Sequence, residues 1–198
     1  MNLNTLVCGL TQNLTWKKQS IYIQNKLRKL NYLFFHFKKY LNSKHLTTLY
    51  RALYESTMSY GVIHWGSSCH IKPVKVLQNK VCRTIHQLHK RTSETEIYSQ
   101  MKALRLQDLC KRRLALFVFK RKIDFQVQEP SSHLRTGGQA ASYPKRLKTH
   151  SRMQARYKGA ECFNSLALQY RTEKTISKFK KGLLGMDRET VRTSTSID

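Results

Sequence analysis

Apolar residues recur three and four positions apart in three successive blocks, and that spacing gathers them on one face of a helix. The first block has Leu46, Leu49, Tyr50, Leu53 and Tyr54, with the aromatics Tyr60 and Trp65 beyond it. The second has Val74, Leu77, Val81, Ile85 and Leu88, and opens at Pro73. Proline suits a first helical turn, where its missing N–H has no intrahelical partner. The third runs from Leu104 to Phe119 and is apolar nearly all round (Leu106, Leu109, Leu114, Leu116, Phe117, Val118, Phe119), so it is expected to be the most buried helix. Three helices with short connections make a compact helical unit. Between the first two, Gly61 and Gly66 flank Val62–Trp65. Glycine weakens a helix by about 1 kcal/mol relative to alanine, so the first block is expected to fray or bend there.

The flanks extend this pattern. Residues 1–14 suggest a short strand without evident partner strands in the chain. Thr15 is placed to cap a helix from about Trp16 to Tyr40, with Ile23, Leu27, Leu30, Phe34 and Phe37 as its apolar stripe and lysines and arginines on the remainder. Asn42-Ser43 ends it and caps the next helix. Ser93 and Glu96 form a capping box ahead of a short helix, 94–102. The helical body spans 15–126. From 127 to 152 Pro130, Gly137, Gly138 and Pro144 break any helix, which predicts a long basic loop. Two short helices, about 157–170 and 175–184 within a segment 153–185, carry Phe163, Leu166, Tyr170, Ile176 and Phe179 to dock on the core. Residues 186–198 read as a disordered tail. The fold class is all-α.

Charge changes the picture most. The 198 residues hold 37 Lys+Arg against 11 Asp+Glu, a net charge of +26. The excess is spread through both halves and is not a tail. Such a surface repels itself unless an anionic partner is bound. Polynucleotide is the first candidate and anionic membrane the second. No apolar run approaches the roughly 18 residues of a membrane span. The N-terminus lacks the pattern of a secretory signal, and the five cysteines are odd in number and scattered, which argues for a reducing, intracellular location in cytoplasm or nucleus.

Candidate phosphate contacts follow from the helix pattern. Lys72, Lys75, Lys80 and Arg83 lie off the apolar stripe of the second block, with Lys90 and Arg91 just beyond it. Lys111, Arg112, Arg113, Lys120, Arg121 and Lys122 come from the third. The runs at 111–113 and 120–122 also have the form of nuclear-localisation signals. The aromatics Tyr50, Tyr54, Tyr60 and Trp65 read as core packing rather than base stacking. Cys69, His70, Cys82, His86 and His89 include metal-ligand types, and Cys82, His86 and His89 could share a helix face, but they lack the paired loop ligands of a zinc finger. No metal site is assigned.

The same blocks carry a family resemblance. Leu49-Tyr50-x-x-Leu53, Tyr60-Gly61, Trp65-Gly66, Leu77-Gln78-Asn79-Lys80 and Leu106-Gln107-Asp108-Leu109, in that order, resemble the segment after the palm in reverse transcriptases of jockey-like (LINE-type) non-LTR retrotransposons. Leu14-Thr15-Trp16 upstream is similar to an element of that family. Tyr157-Lys158-Gly159-Ala160, Phe163-Asn164-Ser165-Leu166 and Ser177-Lys178-Phe179-Lys180-Lys181 are similar to its C-terminal ending. The resemblance covers roughly residues 10–184. It implies the thumb-and-connection region of an RNA-directed DNA polymerase whose palm and fingers lie elsewhere, with residues 1–14 as the last strand of that palm. It also implies a magnesium requirement for the parent enzyme, and RNA and DNA as partners gripped by the backbone. The family's catalytic Asp-Asp pair is absent: Asp108, Asp124, Asp187 and Asp198 are isolated from one another. The expectation is a binding fragment that does not catalyse alone and holds no cofactor itself. Two other classes stay open, a stand-alone basic helical RNA- or DNA-binding protein and a basic amphipathic protein on anionic membrane.

Overall fold

In the computed structural model the described residues are 16–101, 103–125, 141 and 155–183, and all their regular structure is helical, without strands. The N-terminal strand, almost all of the 127–152 loop and the 186–198 tail lie outside them. The chain divides into two compact units, Met1–Gln107 and Asp108–Asp198.

The first unit is built on α1 (Lys17–Phe37), whose Ile23, Leu27 and Phe34 are buried. Its helix starts after Trp16 without a side-chain cap, and Thr15 is outside the described residues. Asn42 begins the next helix as expected, its Oδ1 accepting from the His45 N–H at 3.0 Å. That helix is α2 (Ser43–Leu49), which passes through a π-helical stretch, Tyr50–Glu55, into α3 (Ser56–Ser59). The buried residues here are Leu46, Tyr50, Tyr54 and Met58, one every four positions. In a regular α-helix a spacing of four drifts about 40° per step, since each residue turns about 100°. The wider π turn cancels the drift and keeps all four in one line. Leu53, expected on the stripe, is 41% exposed as a result.

Gly61 then sits at φ 59°, in the left-handed region, and starts α4 (Val62–Trp65). The break falls where the two glycines predict it. Trp65 is fully buried and its Nε1 donates to the Tyr60 carbonyl at 2.9 Å. Tyr50, Tyr54 and Trp65 are core residues as expected; Tyr60 is not, being half exposed.

A short 3-10 turn leads to α5 (Lys72–His86), with Pro73 in its first turn. It packs along α1 and runs parallel to it. Near their starts Ser20 Oγ donates to the His70 carbonyl at 2.7 Å. Further on, Asn31 Nδ2 donates to the Leu77 carbonyl at 3.3 Å. The α2–α3 segment returns between their ends, so the three form an up-down-up bundle, and Ser43 Oγ meets His86 Nδ1 at 3.1 Å. The helix stops two residues sooner than the apolar spacing suggests, because Gln87 turns left-handed at φ 53°. The inward face is Val74, Gln78, Val81, Cys82 and Ile85, so Gln78 takes the place expected of Leu77. α6 (Glu94–Met101) follows, with Ser93 Oγ accepting from the Glu96 N–H at 3.3 Å, one half of the capping box.

The second unit centres on α7 (Leu106–Lys120), whose first two residues close the first unit. It is the most extensively buried of the long helices, as its all-round apolar pattern predicts: Leu109, Leu114, Ala115, Val118 and Phe119 are inside. Against it pack α8 (Ala155–Asn164), α9 (Leu168–Arg171) and α10, a helix over 176–183. Phe179 of α10 stacks on Phe119 with ring centroids 4.2 Å apart. Gly159 permits α8 to approach α7, since a Cβ there would come within 2.9 Å of Val118 Cγ2. Asn164 pins Ala141 by two bonds, accepting from its N–H at 2.8 Å and donating to its carbonyl at 3.0 Å.

Candidate nucleic-acid interface

On α5, residues four apart form rows along the outer face. Lys72, Val76 and Lys80 make one row, all exposed, and Lys75, Asn79 and Arg83 make the next. The side chains of Lys72, Lys75 and Lys80 take no hydrogen bond or ion pair among the described residues. The second row is partly engaged. Asn79 Oδ1 accepts from the Tyr98 hydroxyl at 2.8 Å, and Arg83 Nη2 donates to the Thr92 carbonyl at 3.1 Å. Arg83 therefore holds the 87–93 turn, at the cost of reach toward a ligand. Lys90 and Arg91 are exposed on that turn.

In the second unit the predicted set does not form one patch. Lys111, Arg112 and Arg113 are consecutive, so each points about 100° from the last around the helix. Arg113 and Lys120, seven apart, share a face and are exposed. Arg121 lies over the Phe117 ring at 5.0 Å. Lys122 lies over Phe119 at 4.4 Å and donates to the Glu173 carbonyl at 3.1 Å. Both pack within their own unit. Other exposed lysines were not singled out from the sequence: Lys178, Lys180 and Lys181 surround the buried Phe179 on α10. The signal was present, a basic run around one aromatic, but only the fold separates the inward ring from the outward charges.

The outward face of α1 was missed too. It exposes Tyr22, Tyr32 and Phe35 among Lys26, Arg28 and Lys29. Lys26 Nζ lies 5.6 Å from the Tyr22 ring centroid and Lys38 Nζ 4.5 Å from that of Phe35. A shallow, open depression on this face is lined by Arg28, Lys29, Tyr32 and Leu33.

Within the first unit lies a buried polar hub. Gln78 Nε2 donates to the Tyr50 hydroxyl at 2.8 Å and to the Leu104 carbonyl at 2.9 Å, and its Oε1 accepts from the Leu106 N–H at 3.0 Å. Burial raises the Tyr50, Tyr54 and Tyr98 hydroxyls well above the ordinary tyrosine range and pushes the Cys82 thiol up to about 12. These groups stay neutral and structural. They also bear on the metal question: Cys82 is sealed in the core, and α5 ends at His86, so His89 lies beyond the left-handed turn. Among the described residues no three His, Cys, Asp or Glu side chains gather to hold a metal ion. No described helix is long and apolar enough to cross a membrane.

Compared with known proteins, the chain matches no family model, no curated protein and no solved structure.

Proposed function

We propose that this chain binds RNA and DNA through the phosphate backbone, recognising charge and shape rather than sequence, as the thumb-and-connection region of a jockey-like non-LTR reverse transcriptase would grip template–primer. The reading is one of binding without catalysis, because the sequence lacks an adjacent aspartate pair on which two metals could assemble. Magnesium belongs to the parent polymerase in this reading. The observation that carries the proposal is the unpaired lysine row on α5, Lys72 and Lys80 with Lys75 beside them, in a chain of net charge +26. Lysines that neutralise phosphates release counterions, so affinity falls linearly with salt on a logarithmic plot.

The test is binding to an RNA–DNA hybrid and to a duplex of scrambled sequence across a salt series. Tight, salt-steep binding that is equal for both sequences is expected. Replacing the three lysines (Lys72→Gln, Lys75→Gln, Lys80→Gln) is expected to flatten the slope by about one unit per lysine that meets a phosphate. Negligible binding at low salt would remove the proposal. Stronger sedimentation with anionic vesicles than with RNA at matched salt would replace it with a membrane role.

A further inference from the structure

Among the described residues of its own unit the outward face of α1 has no partner, yet it is not a solvated polar face. Tyr22 is 51% exposed, Tyr32 66% and Phe35 50%. Rings this open lose the favourable burial that a large aromatic usually gains. They are also not segregated from charge. Around the helix Arg28 and Lys29 fall between the rings, and Lys26, at the edge of the same face, lies over Tyr22.

We propose that this face is a stacking platform for a single-stranded segment of polynucleotide, with bases on Tyr22, Tyr32 and Phe35 and phosphates on Lys26, Arg28 and Lys29. The inference rests on the nucleic-acid reading above and adds a second surface with a different preference. A duplex hides its base faces inside the helix, so rings on a protein surface gain stacking only from unpaired bases. Interleaved aromatics and cations match a strand in which bases and phosphates alternate. The other occupants fit less well. In a symmetric pair of chains the same patch meets itself, which would bring the three cations of one copy toward those of the other. A helix lying in a membrane surface separates an apolar face from a charged one, and here insertion of the rings would draw Arg28 and Lys29 in with them.

The experiment compares the full-length protein with a Tyr22→Ala, Tyr32→Ala, Phe35→Ala triple variant, which keeps every charge. The probes are a labelled oligouridylate strand and a blunt RNA–DNA hybrid of equal length. A loss of about tenfold or more for the single strand, with hybrid affinity changed less than about twofold, is expected. Tyr32→Phe should retain binding, because the ring stacks without its hydroxyl. Tyr32→Ala alone, at the most exposed of the three rings, gives the same comparison in a minimally altered chain should the triple variant fold poorly. Equal single-strand affinity in variant and parent would overturn the platform and leave the backbone-binding reading standing. Equal losses for strand and hybrid would overturn it as well. So would a dimer of the parent that the triple variant abolishes, which assigns the face to a second copy, or vesicle binding that alone depends on the rings. A parent protein that binds neither probe at low salt removes both readings together.

Discussion

Gln78 shows how one polar side chain can organise a core. It is 1% exposed and satisfies a hydroxyl, a carbonyl and an N–H from two other parts of the chain, Tyr50 and the segment 104–106. A buried group that loses its partner costs about 1–3 kcal/mol, more than a typical hydrogen bond contributes when made. Gln78→Leu keeps the volume but orphans the Leu104 carbonyl and the Leu106 N–H, and it should lower unfolding free energy by about 2–4 kcal/mol in urea titration. His86 makes a pH-dependent contribution. Burial lowers its pKa below the ordinary histidine value, and its Nδ1 is held against Ser43. Above pH 6.5 the ring is neutral in folded and unfolded chains alike. Below it the unfolded chain takes up a proton that the folded chain resists, so stability falls as pH drops toward the lowered folded pKa. Thermal melts between pH 7.5 and 5 should show this decline, and His86→Asn should reduce it. A variant whose pH profile matched that of the parent would remove His86 as the cause.

At the scale of elements, two departures from regular helix set the architecture. The π-helical stretch aligns Leu46, Tyr50, Tyr54 and Met58, and the left-handed Gly61 separates α3 from α4. In the second unit the contact between α7 and α8 depends on a missing side chain. An alanine at position 159 gains about 1 kcal/mol of helix propensity over glycine. Its Cβ would press on Val118 Cγ2 at 2.9 Å, and overpacking a core costs about 1–3 kcal/mol. The second effect outweighs the first, so Gly159→Ala should be destabilising in denaturant titration. Adding Val118→Ala should recover part of that loss. Strictly additive single and double variants would show that the close approach is not what position 159 supplies.

For the whole molecule, charge governs behaviour. With net +26 and few acidic residues, the folded chain works against its own repulsion. Raising monovalent salt from about 20 to 300 mM contracts the range of that repulsion. The melting temperature is therefore expected to rise with salt while affinity for polynucleotide falls. A melting temperature independent of salt would mean that the charges are already compensated within the fold. Because the chain divides at Gln107 and Asp108, melting followed by several probes is expected to show more than one transition.

Much of this was legible in residue order. The spacing of apolar positions set the all-α class and most inward positions of α1 and α7, with Leu30, Phe37 and Phe117 only partly buried, while residue type set the capping by Asn42 and Ser93 and the interruption at Gly61, because these depend on local geometry. Composition alone determined the sign and size of the charge. Tertiary structure decided the rest. A four-residue spacing does not announce a π turn, since the same residues would also fit an ordinary helix. The apolar spacing put Leu77 on the inward stripe, and only the packing of α5 turned the neighbouring Gln78 inward. Arg83, Arg121 and Lys122 carry the same charge in the sequence as Lys72 and Lys80. Contacts with Thr92, Phe117, Phe119 and Glu173 are what engage the first three and leave the others open. The rings of α1 show the converse, for their exposure depends on which arc of the helix the partners cover. Periodicity is a property of neighbours in sequence, whereas the availability of a side chain is a property of neighbours in space.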